Sequence, residues 1–185
     1  MKKNIIALSL ILGAAFSLVS CGDNSKKEKQ TITVNQESNI QAPDVEDVDT
    51  TGTAKFKDEQ TARIFKDYIE VKSAFVASDA SKAGKAADQL LSDLKEDANK
   101  DLKDAAQKIA RETDINKQRE AFSNLTAAMG KKLEGALKSG EVYKLYCPMA
   151  FQGKGDYWYS NSKEIKNPYF GQKMLTCGRV DKTIE

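Results

Sequence analysis

No histidine occurs anywhere in the 185 residues. Ser-His-Asp and Cys-His catalysis, HExxH metallopeptidase sites and imidazole-held zinc or copper all need that side chain, so none of them is open to this chain. Acid–base chemistry would have to rest on carboxylates, Lys or Tyr. An excess of one charge is missing too. Lys and Arg number 29 against 27 Asp and Glu, and setting aside Lys2 and Lys3 of the leader leaves 27 on each side. A balanced chain offers no electrostatic reason to expect nucleic acid or a strongly anionic membrane surface as partner. Proline and cysteine are scarce, three of each. The adjacent C-x-x-C pair of a thiol oxidoreductase is absent, and Cys147 as a nucleophile would lack a histidine base. Together these absences point away from an enzyme.

What is present begins with Met1-Lys2-Lys3-Asn4 and an apolar run, Ile5 to Val19. A basic start and a run of this length read as a secretory signal, too short for a spanning helix. The run ends in Leu18-Val19-Ser20-Cys21-Gly22, which resembles the bacterial lipobox, with cysteine where the cleavage site belongs. The expectation is a signal peptide at 1–20 and lipidation at Cys21, with acyl chains such as palmitate worth about 0.8 kcal/mol per buried methylene. The protein would then sit in the cell envelope, lipid-anchored, on the outer membrane facing the periplasm or the surface. Residues 21–57 are polar, with scattered Ile32, Val34, Ile40, Val45 and Val48 and no aromatic before Phe56. So few apolar groups do not offset chain entropy, and a disordered tether is expected, averaging ~33 Å end to end.

From Asp58 the apolar positions recur at steps of three and four. Ile64, Phe65, Tyr68, Ile69, Val71, Phe75 and Val76 make one helix, with Asp58 as N-cap. Ser78 and Asp79 break the pattern, and Asp79 caps a second helix carrying Ala83, Ala86, Ala87, Leu90, Leu91 and Leu94. A third carries Leu102, Ala105, Ala106 and Ile109, its boundary with the second being soft. A fourth carries Phe122, Leu125, Ala128, Met129, Leu133, Ala136 and Leu137 and ends at Ser139-Gly140. Met129 lies on the apolar stripe and reads as core. Short connections between four amphipathic helices predict an antiparallel bundle. The fold class expected is therefore all-α: a four-helix bundle with an irregular C-terminal hook, together spanning 58–180, and a tail at 181–185.

Tyr143 to Val180 holds more than half of the aromatic residues and both cysteines outside the leader. Val142 to Tyr146 alternates and fits a short strand. Pro148, Gly153, Gly155 and Asn167-Pro168 mark turns, and Trp158 and Tyr169 read as a satellite core pinning the hook. The sulfurs form a mirrored pair, Cys147-Pro-Met149 and Met174-Leu-Thr-Cys177. Two readings stay open. In an oxidising compartment Cys147 and Cys177 would pair, closing a loop worth roughly 3.5 kcal/mol on the chain-entropy model. Alternatively Cys147, Met149, Met174 and Cys177 form a soft thiolate–thioether set suited to Cu(I) or Ag(I). Two cysteines without histidine fall short of the usual zinc set, and the methionines could equally be fillers of the satellite core.

The stretches Glu141–Ala150, Tyr157–Ser160, Glu164–Gly171 and Lys173–Gly178, with Gln118-Arg119 to Leu125 of the fourth helix, resemble an uncharacterised bacterial helical domain family. That family occurs as small lipoproteins and as a C-terminal extension of membrane-fusion subunits of copper/silver efflux pumps. The resemblance implies a metal-handling association for Cys147, Met149, Met174 and Cys177, and a heavy-metal efflux system as partner. The expected function is a membrane-anchored lipoprotein that sequesters Cu(I) or Ag(I) or hands it on. The alternative is a non-catalytic structural or interaction lipoprotein with a Cys147–Cys177 disulfide.

Overall fold

The computed structural model describes residues 52–94 and 99–185. The expected signal peptide, Cys21 and all but the end of the tether lie outside those residues. Among the described residues no helix is long and apolar enough to cross a membrane.

Four helices form the main body: α1 (Glu59–Val76), α2 (Ala80–Asp93), α3 (Lys100–Arg111) and α4 (Ile115–Leu133). Their starts are chemically marked. Asp58, Asp79, Asn99 and Asp114 each accept a main-chain N–H of the first turn through the side chain, satisfying donors that have no intrahelical partner. α1 packs on α2, α2 on α3 and α3 on α4. The alanines Ala83, Ala87, Ala105 and Ala106 are buried at these contacts, where small side chains let helix axes approach closely. Phe122 stacks with Tyr68 and tilts against Phe75 and Tyr169, and Met129 is fully buried as its position on the stripe predicts.

The break after α1 is a Schellman end. Asp79 N–H bonds the Ala74 carbonyl and Ser78 N–H the Phe75 carbonyl, both at 3.0 Å. The left-handed residue this motif needs is Ser78, at φ 57°, where glycine is usual.

The expectation of an all-α fold is corrected by two small antiparallel sheets. In the first, β1 (Lys55–Phe56) pairs with β2 (Leu137–Ser139), so the last residues assigned to the tether are stitched to the domain. Lys57 adds a main-chain bond to the Ala136 carbonyl at 2.9 Å and a side-chain bond to the Gly135 carbonyl at 2.7 Å. The fourth helix therefore stops at Leu133 rather than Gly140. Gly135, at φ 64°, reverses the chain, and the apolar spacing of Ala136 and Leu137 merely continues the helical rhythm into a strand.

The second sheet replaces the irregular hook. β3 (Val142–Cys147) is central, flanked by β4 (Asp156–Ser160) and β5 (Arg179–Ile184) in the order β4-β3-β5. Tyr143, Leu145 and Cys147 are buried while Lys144 and Tyr146 are part-exposed, the alternation of a strand with one face on a core. Trp158 is fully buried and Tyr169 nearly so, and both belong to the same continuous core as the helices. The aromatics thus form no satellite: the sheet is a second layer on the bundle, and the fold is α+β, mostly helical. β5 runs through residues set aside as a tail at 181–185.

Candidate soft-metal site

β3 carries the site. It begins at Val142, opposite Ile184 and next in the chain to β2 and the end of the tether, and finishes at Cys147, opposite Asp156. Six residues at about 3.3 Å each place Cys147 at the end of β3 opposite Val142. The chain then reverses through Ala150–Gly153, where Phe151, Gln152 and Gly153 all have positive φ (49°, 61° and 85°). Left-handed backbone costs roughly 1–2 kcal/mol for each ordinary L-residue. Here it is held by the Gly155 N–H on the Ala150 carbonyl at 3.0 Å and by Phe151 packed edge-on to Tyr169.

The other cysteine arrives on a loop that leaves β4, makes a short 3-10 turn at Gly171–Met174 and returns as β5. Asn167, fully buried, organises this loop. Its side chain donates to the Cys177 carbonyl at 2.7 Å and accepts the Tyr169 N–H at 2.8 Å, and its own N–H bonds the Leu175 carbonyl at 2.8 Å. Gly178 lies flat on Trp158: a Cβ there would come within 2.8 Å of the indole. The result is that two thiols thirty residues apart in sequence meet, with Cys147 Sγ and Cys177 Sγ at 3.8 Å.

Both cysteines are free thiols in this structure. Burial, then the hydrogen bond and charge of Cys147, push the Cys177 thiol above the ordinary cysteine range, so a proton must be displaced before this sulfur serves as ligand or nucleophile. At 3.8 Å the two sulfurs are in contact but unbonded: near enough for one soft metal ion to be shared between them, while a disulfide needs closure to about 2.05 Å.

The methionines are placed differently. Met149 precedes the left-handed turn and is 50% exposed, and Met174 ends the 3-10 turn at 36%. Neither fills a gap in the core, as the packing explanation for them requires. Together with Val180 they are the large apolar side chains left exposed among the described residues. The structure brings the two cysteines into contact and leaves each methionine at the surface two or three residues along the chain. No group of three or more Cys, Asp or Glu side chains able to hold a metal occurs among the described residues, so a site here rests on the cysteine pair and the thioethers alone.

Two buried polar residues of α4 escaped the sequence reading as structural parts. Gln118 directs its side-chain amide at the carbonyls of Ala80, Ile109 and Glu112, at 3.0, 3.0 and 2.8 Å, tying the start of α2 to the end of α3. Arg119 donates to the Pro168 carbonyl at 2.8 Å, the Phe75 carbonyl at 3.1 Å and Ser78 Oγ at 3.0 Å. Among the described residues no carboxylate pairs with it, and burial lowers its pKa. Arg119 thereby clamps the Asn167-Pro168 loop, and with it the support of Cys177, onto the negative end of α1. Gly171 completes the clamp, because a Cβ at that position would fall 2.1 Å from Ser78 Oγ. The only sequence signal for either residue was its place in the resembling stretch of the fourth helix.

Residues 64–139 match the model of a family described as a protein of unknown function, DUF3347. The match runs from α1 to β2 and stops short of both cysteines. No curated protein and no solved structure matches the chain.

Proposed function

We propose that this protein binds a soft monovalent metal ion, Cu(I) or Ag(I), through Cys147 and Cys177 with help from Met149 and Met174. The observation that carries the reading is the convergence of the two thiols to 3.8 Å at the Cys147 end of β3. Soft thiolate and thioether donors select Cu(I) over hard cations, and a chain without histidine offers this ion little else. Cys147 supplies a buried thiolate fixed by the β3 ladder. Cys177 supplies one held by Asn167, and the exposed thioethers give an incoming ion a first foothold. The role is sequestration or hand-over, not catalysis. Lipidation at Cys21 would hold the domain on a membrane of the cell envelope, where a metal efflux system is the natural recipient.

The test is a Cu(I) titration against a chromophoric competitor, without oxygen, using the reduced full chain carrying Cys21→Ser so that two thiols remain. One ion per chain is expected, and Cys147→Ser with Cys177→Ser should weaken binding at least ~100-fold, since two of the soft ligands are gone. Equal binding by that double variant sinks the proposal. The same thiol contact also supports a second reading, an interaction lipoprotein stapled by a Cys147–Cys177 disulfide. Intact mass of protein taken from cells, with and without reductant, separates the two.

A further inference from the structure

The two sulfurs are chemically unequal, and their inequality sets an order of reaction. Cys147 is fully buried in the core, in register on the central strand. Cys177 is part-exposed, on the loop between Met174 and Gly178. A disulfide-bearing oxidant therefore reaches Cys177 and not Cys147. Once Cys177 is in a mixed disulfide, the Cys147 sulfur already stands 3.8 Å from it, shielded from every other partner. The closure to a bond of about 2.05 Å falls on the Cys177 side, because Cys147 is buried and paired with Asp156 of β4, whereas Cys177 sits on a loop.

We infer that the pair is a two-step thiol–disulfide switch in which Cys177 reacts first, Cys147 resolves, and the closed form gives up the metal site. In the first step the Cys177 thiol loses its proton and its sulfur attacks a disulfide R–S–S–R, forming Cys177–S–S–R and releasing one thiolate RS⁻. In the second the Cys147 thiol loses its proton and its sulfur attacks Cys177 Sγ, forming the Cys147–Cys177 bond and releasing the second RS⁻. Two thiols are oxidised and one external disulfide is reduced to two thiolates, so protons and electrons balance. Both thiolates needed for the metal are consumed. This inference builds on the proposed metal site and assigns its control to the redox state of the same two sulfurs.

The oxidant used in the test is dithiobis(nitrobenzoate), whose released thiolate is coloured. It is added to the full chain bearing Cys21→Ser, folded and reduced, in slight excess. Wild-type residues at both sites should release two coloured thiolates per chain and retain no adduct by intact mass. Cys147→Ser should release one and keep the adduct on Cys177. Cys177→Ser should react at least ~10-fold more slowly, because its remaining thiol is buried. Cys147→Ala serves beside Cys147→Ser in case the buried hydroxyl disturbs folding. Peptide mapping after limiting alkylation of the unsubstituted pair gives the same order without any variant at either site. Faster labelling at Cys147 than at Cys177, or a stable double adduct on the unsubstituted pair, overturns the inference. The Cu(I) titration in reductant is run on the same samples, so a switch that fails while metal binding survives is told apart from a site that binds no metal at all.

Discussion

In the helices, two buried polar side chains of α4 are committed to main-chain carbonyls: Gln118 joins α2 and α3, and Arg119 joins α1 to the Pro168 loop. In the sheet layer the chemistry-bearing groups at the end of β3 have no such task. The two thiols meet each other, and Met149 and Met174 stand in solvent. Both regions share one hydrophobic core. The contrast separates residues that build the fold from residues the fold presents. The matched family of unknown function spans the first set, at residues 64–139, while the sulfurs lie beyond it.

The sharpest way to break this picture is to cut the shared core. Trp158→Ala should cost about 3–5 kcal/mol, read by urea denaturation, and the sheet and the helices should unfold in one transition. A helical signal that persists after the near-ultraviolet aromatic signal is lost would make the sheet a satellite after all. Next, Arg119→Met strands the Pro168 carbonyl, removes a second donor from the Phe75 carbonyl and should cost about 1–3 kcal/mol. It should also loosen Cys177, so alkylation there speeds up even where the domain remains folded. An unchanged alkylation rate would remove Arg119 from the support of the site.

A third prediction concerns Asp67, 4% exposed on α1 with one carboxyl oxygen unpartnered. Burial first, then a hydrogen bond and charge from Asp93, raise its pKa to about 7 from an ordinary 3.8. The folded state thus holds a proton that the unfolded chain releases. Its contribution is intact at low pH and is lost as pH climbs from about 4 through 7. Asp67→Asn should then stabilise the protein at pH 8, by about 2 kcal/mol, and leave it nearly unchanged near pH 4, as measured by denaturation at both. The smallest effect on stability belongs to Met149→Leu with Met174→Leu, within about 0.5 kcal/mol for exposed positions. Their Cu(I) affinity should nonetheless fall roughly tenfold with the loss of soft donors. A double leucine variant that binds as before would reduce the site to the cysteines.

Much of the helical layer was legible, because a buried stripe repeats at 3.6 residues and the caps Asp58 and Asp79 stand where the pattern starts. The sheet was only partly so. Val142 to Tyr146 alternates because one face is buried, but β5 is an exposed edge. Its Arg179-Val-Asp-Lys-Thr-Ile184 carries charge on both faces and so has no burial rhythm to read. Helix α4 was drawn too long because Leu137 falls in step with Leu133, although Gly135 turns the chain between them. At the candidate site the sequence singled out Cys147 and Cys177 but left their separation open, since the bonds that bring Cys177 to Cys147 come from Asn167 and Arg119, far apart in the chain.

The most direct measurement is the copper K-edge X-ray absorption of the reduced full chain, bearing Cys21→Ser and loaded with one Cu(I). The account predicts a first shell of sulfur alone, lost when Cys147 and Cys177 are both replaced by serine. A shell of nitrogen or oxygen, or a spectrum indifferent to that replacement, would contradict it.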